Sequence, residues 1–326
     1  MRPRGARLKI GTRSSALAVW QTERVRSLLR AAGCETERVE IKTTGDLTPD
    51  VPLARIGSRA LFTKQIDDAL LENRIDLAVH SLKDLPTELP TGIIIAAVSA
   101  REDPRDALVG RTPLRWRDLS SGAVIATSSL RRRAQLLNAR PDLQIVDIRG
   151  NVDTRLAKLD ARPEWSGIVL ATAGLVRLGR ADRIGERLPP DVMLPAPGQG
   201  ALAVTVRTDD AEVQRAVHRA VHDAASSVEV AAERAFLRRL EGGCQVPVAA
   251  YAQLEGTSSP SMLRLRGRVI SLGGEMMVEG RSAGPASDEA AAAALGTALA
   301  ERLLGEGAAT ILAKVREAAA PVVTEP

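Results

Sequence analysis

Through the first two thirds of the chain, short apolar runs alternate with longer segments in which apolar positions recur every three to four residues. A strand covered on both faces of its sheet reads as such a run, and an amphipathic crossover helix as such a period. The alternation therefore predicts an α/β architecture with mostly parallel, doubly wound sheets. Strands are expected at 8–10, 38–43, 75–80, 93–98, 123–127, 143–148, 167–171 and 202–206, and helices at 15–32, 62–72, 130–139 and 152–159. Gly33 is placed to end the first helix, because glycine adopts positive φ without a Cβ clash.

Past residue 220 the pattern changes. A helix is expected over 226–241, then alternating strands near 246–254, 262–270 and 275–281, then Ala-rich helices to residue 316. Strand, strand, strand, helix predicts a small α+β domain with a three-stranded antiparallel sheet. The resulting domains are 1–99 with 200–219, 105–195, and 224–326. A weak internal repeat accompanies the first two: Ile10-Gly11-Thr12-Arg13-Ser14-Ser15 and Ile125-Ala126-Thr127-Ser128-Ser129 each run from a strand into hydroxyl residues at a helix start. Such a start presents free N–H groups and the positive end of a helix dipole to an anion, although the same serines also serve as ordinary N-caps.

Composition narrows the function classes. Two cysteines and three histidines among 326 residues exclude a disulfide framework and argue against a structural zinc site. No run approaches the roughly 18 apolar residues of a membrane span. The basic opening MRPRGAR leads straight into the first strand without a leader-like segment, so the chain is expected in the cytoplasm. The net charge of +5 is unevenly placed: residues 224–326 carry −2, and 127–162 hold eight basic against four acidic residues. Thirty-nine of the 45 cations are arginine, which suits fork-like pairing with carboxylate or phosphate. Three Trp, one Tyr and two Phe supply few stacking platforms for single-stranded nucleic acid.

Three segments carry candidate chemistry. The run ending at His80 is followed by Ser81, Lys83 and Asp84, at the carboxyl end of a strand, where open α/β sheets place ligands. Asp84 reads either as half of a surface Lys–Asp pair or as a carboxylate in a cationic cleft, suited to proton transfer or to stabilising a cation. Thr127, Ser128, Ser129, Arg131, Arg132 and Arg133 open a helix; helical geometry lets two of the three arginines reach one ligand, and Arg131 and Arg132 are the pair expected to do so. Arg149, Gly150 and Arg155 approach from a second loop, and several guanidinium groups together imply a multiply anionic ligand. Cys244, after Gly242-Gly243, reads equally as an inert thiol or as a point of covalent attachment; Cys34 reads as inert. Pro197-Gly198-Gln199-Gly200 resembles a hinge between lobes and lacks the spacing of a nucleotide loop. A non-catalytic anion receptor and a basic nucleic-acid binder remain as competing readings.

In order along the chain, Thr12-Arg13-Ser14-Ser15-Ala16-Leu17-Ala18 with Gln21, His80-Ser81-Leu82-Lys83-Asp84, Arg101-Glu102-Asp103-Pro104-Arg105-Asp106-Ala107, Thr127-Ser128-Ser129-Leu130-Arg131-Arg132, Arg149-Gly150-Asn151, Gly198-Gln199-Gly200-Ala201 and Glu241-Gly242-Gly243-Cys244-Gln245-Val246-Pro247 resemble the motifs of the porphobilinogen deaminase family. The resemblance implies two lobes like those of periplasmic binding proteins, a third small domain, a monomer, and a dipyrromethane cofactor held by a thioether at Cys244. It implies stepwise addition of four porphobilinogens, each losing ammonia, then hydrolysis to hydroxymethylbilane in tetrapyrrole biosynthesis. Asp84 and Lys83 are then the catalytic residues. Ser81, Lys83, Asp84, Thr127, Ser128, Ser129, Arg131, Arg132, Gly150 and Arg155 are implied to hold the cofactor, and Arg13, Ser15, Phe62, Arg149, Arg155 and Arg177 the substrate. Two departures from the family pattern stand out: Ser58 and Ala60 where a lid loop often has glycine, and Thr205 where an acidic residue is frequent.

Overall fold

The computed structural model describes residues 7–43, 63–240, 246–255 and 261–319. Phe62 and Cys244, together with the lid positions Ser58 and Ala60, lie outside the described residues.

The first sheet is built from β1 (Leu8–Thr12), β2 (Thr36–Glu40), β3 (Leu77–Ser81), β4 (Ile93–Val98) and β10 (Leu202–Arg207), in the order β2-β1-β3-β10-β4. β1 pairs parallel with β2 and β3, and β10 runs antiparallel between β3 and β4. Helix α1 (Ala16–Ala31) buries Gln21, Val25 and Leu29, one residue per turn, against this sheet; Gly33, at φ 83°, ends the helix. With α6 (Ala211–Val221) it closes a core that includes Ile10, Val204 and Val217. Helix α2 (Lys64–Leu71) closes the opposite face through Ile66, Ala69 and Leu70.

The second sheet, ordered β7-β6-β8-β5-β9, comprises β5 (Asp106–Val109), β6 (Val124–Ala126), β7 (Gln144–Val146), β8 (Gly167–Ala171) and β9 (Glu186–Arg187). Here β5 is the one reversed strand among those described. Helices α3 (Leu130–Ala139), α4 (Val152–Asp160) and α5 (Thr172–Arg177) flank it. The chain passes between the sheets twice. The two crossing segments lie side by side, with Ser99 N donating to Leu202 O at 3.0 Å and Glu102 N to Gly200 O at 3.1 Å.

Helix α7 (Ala224–Arg239) leads to a third, antiparallel sheet of β11 (Val248–Glu255), β12 (Ser261–Ile270) and β13 (Met277–Ala286). Helices α8 (Glu289–Leu303) and α9 (Ala309–Ala319) complete this layer. Its core gathers Phe236, Leu263, Leu265, Leu299 and Ile311. Gly267 is required there, because a Cβ would stand 2.4 Å from the Phe236 ring. The layer docks on the second sheet's α3: Asn138 Nδ2 donates to Gly274 O at 2.8 Å, and Arg268 Nη1 to Gln135 Oε1 at 2.8 Å. The strand expected at 38–43 begins two residues earlier, since Thr36 pairs with Leu8. No helix among the described residues is long and apolar enough to cross a membrane.

Candidate functional site

The carboxyl ends of β1 and β3 in the first sheet, and Arg132 on α3, Arg149 in the loop before α4 and Arg155 on α4 beside the second sheet, open onto one cavity of about 810 Å³. That volume lies in the upper part of the range of about 300 to 1,000 Å³ typical of sites that enclose organic ligands. Seven cations line it: Arg13, Lys83, Arg132, Arg149, Arg155, Lys158 and Arg177. Asp84 is the one carboxylate among the described residues of the wall, exposed toward the cavity.

Register explains how these side chains meet. β10 pairs with β3 so that Leu202 faces Ser81, and Leu82 N donates to Ala201 O at 3.0 Å. The short 3-10 turn Leu82–Asp84 therefore leaves the strand beside the second crossing segment. Ser81, the last residue of β3, accepts from Gln21 Nε2 at 2.8 Å, which ties it to α1. Ser15 caps α1 by accepting from Ala18 N at 3.3 Å, and Asn151 caps α4 by accepting from Thr154 N at 2.9 Å. Both helix starts line the cavity, adding positive dipole ends to the cations. Gly150 adopts φ 114°, and its carbonyl accepts from Arg155 Nε at 2.8 Å, turning that guanidinium toward the wall. Arg177 donates to Gly200 O at 2.5 Å and lies over the Trp20 ring at 5.7 Å, an interlobe contact from α5 to α1.

Other expected site residues spend their polar groups inside the fold. Asp106, fully buried, accepts from Arg131 Nη1 at 2.8 Å and from Arg132 Nη2 at 2.7 Å. Arg131 also donates to Leu194 O at 2.7 Å and does not line the cavity, whereas Arg132 does. The two consecutive arginines thus share a carboxylate, and it is one from their own chain. Thr127 Oγ1 accepts from Ser129 N at 3.2 Å, Ser129 Oγ caps α3 at Arg132 N, and Ser128 Oγ donates to Ile148 O at 2.7 Å. These three hydroxyls shape the loop behind the cavity. Sequence reasoning gave no role to Asp106, Gln21, Gln199 or Lys158. The first three sit inside the quoted motifs, which is the signal that marked them.

Burial, and beside Lys83 and Arg155 the neighbouring cations, lower the pKa of cations in the wall. Burial lowers Lys83 to about 8, opposed by Asp84 and Asp106 and reinforced by Arg132 and Arg131. Burial lowers Arg155 to about 10, with Arg132 and Arg149 adding to the effect and Asp84 countering it. Arg177 is likewise lowered to about 10 by burial, against the pull of Glu102. A ligand carboxylate adds countercharge to these cations, and several carboxylates on one ligand add more. Behind the wall, burial and the nearby Arg13 hold His80 down at about 4. Its Nε2 meets Thr205 Oγ1 at 3.1 Å, so a hydroxyl at 205 serves a neutral imidazole. Among the described residues there is no group of three His, Cys, Asp or Glu side chains arranged to hold a metal ion.

Comparison with known proteins places the whole arrangement. Residues 8–215 match the family model "Porphobilinogen deaminase, dipyromethane cofactor binding domain", and 227–305 match "Porphobilinogen deaminase, C-terminal domain". The chain is 48% identical over 310 residues to a porphobilinogen deaminase of Geotalea uraniireducens, covering 94% of each chain. It is 51% identical over 310 residues to that of Rubrobacter xylanophilus, covering 95% of this chain and 98% of the relative. Among solved structures it resembles the methionine-binding protein MetQ, at 14% identity and a TM-score of 0.44, over 66% of this chain and 89% of that one.

Proposed function

Because the chain belongs to the porphobilinogen deaminase family, we propose that the cationic cavity is where its pyrrole substrates are bound and joined, with Asp84 as the catalytic carboxylate. The enzyme is a transferase that builds hydroxymethylbilane from four porphobilinogens on a dipyrromethane cofactor, releasing ammonia at each addition. The carrying observation is the composition of the wall: seven cations and one carboxylate among its described residues.

The wall suits a cofactor bearing several carboxylates, since these add countercharge where cations outnumber carboxylates seven to one among the described residues. Arg132, Arg155, Lys83 and the start of α4 would hold that group, and Arg13, Arg149, Arg177 and the start of α1 the incoming substrate. When bound, the dipyrromethane supplies a nucleophilic pyrrole carbon to which the chain is joined. Asp84 faces the cation left when porphobilinogen loses ammonia and accepts hydrogen bonds from pyrrole N–H groups. It would also take up the proton released on carbon–carbon bond formation. Lys83, charged below about pH 8, pairs with a ligand carboxylate and keeps the loop's net charge near zero. Cys244, in the segment after α7, is the proposed thioether anchor. A simple anion receptor would need neither Asp84 among the cations nor the third domain.

Intact mass spectrometry of freshly purified protein tests the reading. The expected mass exceeds the polypeptide by two pyrrole units and falls to the bare polypeptide in Cys244→Ser. Asp84→Asn should keep the adduct while turnover drops by about 100-fold or more. Bare polypeptide mass in the wild type, or an Asp84→Asn variant within tenfold of normal rate, overturns it.

A further inference from the structure

The hydrogen bonds at the lobe junction converge on a side chain that no step above uses. Gln199 is 1% exposed and lies between Gly198 and Gly200, both at positive φ. Its Oε1 accepts from Lys83 Nζ at 3.2 Å. Its Nε2 donates to Pro104 O at 2.7 Å and to Asp106 Oδ1 at 3.0 Å. Its backbone carbonyl accepts from Arg101 Nε at 2.9 Å. One neutral group thus joins the loop after β3, both crossing segments, and the Asp106 cluster of the second sheet. We propose that Gln199 is a positioning residue that fixes the Lys83 ammonium beside Asp84 and ties that placement to the Asp106–Arg131–Arg132 cluster of the other lobe.

An amide is the side chain this position calls for. Lys83 faces Asp84 on its own turn, Asp106 from β5, and Arg131 and Arg132 from α3. A direct Lys83–Asp106 pair would compete with two guanidinium groups for one carboxylate and draw the ammonium away from the cavity. Glutamine offers an acceptor to the cation and a donor to the anion without adding charge. Its flanks are closely packed: a Cβ at Gly198 would stand 2.1 Å from Leu82 Cδ2, and one at Gly200 2.3 Å from Glu102 O. The amide itself is held by its bonds to Lys83, Pro104 and Asp106. Opening the lobes then means breaking a bond to Lys83 or to Asp106, so domain position and the charge beside Asp84 are mechanically linked.

This inference rests on the deaminase reading for the need to hold a cation there, and its test separates the two. Gln199→Leu and Gln199→Glu are compared with wild type in the full chain, following acylation of Lys83 by acetic anhydride against pH through peptide mass spectrometry, together with kcat and KM for porphobilinogen. Removing the acceptor should lower the midpoint of Lys83 acylation by about one pH unit, and a carboxylate should raise it by about as much. The alkaline limb of kcat should move in the same opposite directions, with KM changed less than kcat. An acylation midpoint unmoved in Gln199→Glu, or moved the same way in both variants as general loosening would do, overturns the proposal. Wild-type protein that carries no pyrrole adduct and does not turn over porphobilinogen instead sinks the reading beneath it.

Discussion

Asp84 and Asp106 are separated by 22 positions and do opposite work because of what surrounds them. Burial alone would push the Asp106 carboxyl up, but Arg131 and Arg132, with their hydrogen bonds, hold it well below the usual carboxylate range. It is therefore a fixed anion, saturated with donors and closed to substrate. Asp106→Ala should leave two buried guanidinium groups without a countercharge and cost about 3–5 kcal/mol, read as a lower urea midpoint at unchanged slope; a loss under about 1 kcal/mol would contradict the assignment. Thr205 gives a second residue-scale prediction. Its hydroxyl is the partner of buried His80, so Thr205→Val should cost about 1–3 kcal/mol at pH 7. His80 is held down at about 4 in the folded chain against 6.5 when exposed, so the unfolded chain binds more protons between those values. The contribution of neutral His80 is complete above pH 6.5 and is lost as the pH falls toward 4, at up to about 1.4 kcal/mol per pH unit. Replacing His80 by glutamine should flatten the stability curve across that window, and an unchanged slope in thermal melts would exclude His80 as its source.

Between elements, helix propensity and packing sometimes demand different residues, and α8 shows which wins. Alanine is ordinarily about 1 kcal/mol better than glycine in a helix interior. At Gly296 a Cβ would stand 2.1 Å from Ala232 O on α7, a backbone atom with nowhere to move. Gly296→Ala should therefore destabilise the third domain by about 1–3 kcal/mol, and a raised melting temperature would show that α7 and α8 shift apart freely. The same balance of local and tertiary forces explains what was legible in the sequence. The strands at Ile93–Val98 and Gly167–Ala171 and the helix at Leu130–Ala139 are found where the apolar pattern puts them, because that pattern is set by the core they face. Strand β5 went unpredicted: it is four residues long and begins with a charged side chain whose partners lie 25 and 26 positions further on. Helix α5 is six residues long and was not separable from its strand. In the site, motif and charge density identified the loops, but periodicity could not say which arginine of a consecutive pair turns inward. Arg131 and Arg132 were expected to share a ligand. The carboxylate they share is Asp106, fixed by the antiparallel pairing of β5 with β8, a long-range choice with no local signature.

At the scale of the whole molecule another buried carboxylate, Glu233 on α7, joins the three parts. Its two oxygens accept from Arg101 Nη1 at 2.8 Å and Nη2 at 3.0 Å, from Gly198 N at 2.7 Å and from Ala252 N at 2.8 Å. Those donors belong to the first crossing segment, the second crossing segment and strand β11, so one residue fastens the third domain to both passages between the lobes. The side chain is fully buried, and its hydrogen bonds are therefore made without competition from water. An amide in its place keeps the shape but removes the charge opposite buried Arg101 and turns one acceptor into a donor aimed at other donors. Glu229, 3.5 Å from Arg101, is the nearest substitute and lacks the bonds to Gly198 and Ala252. Glu233→Gln should therefore cost about 3–5 kcal/mol and, more tellingly, uncouple the parts. Calorimetry of the wild type should show one transition with matching calorimetric and van't Hoff enthalpies, and the variant two, the third domain separating from the lobes. A single unbroken transition in the variant, at a melting temperature within a degree or two of wild type, would mean that the apolar contacts between domains suffice and that Glu233 is not what joins them.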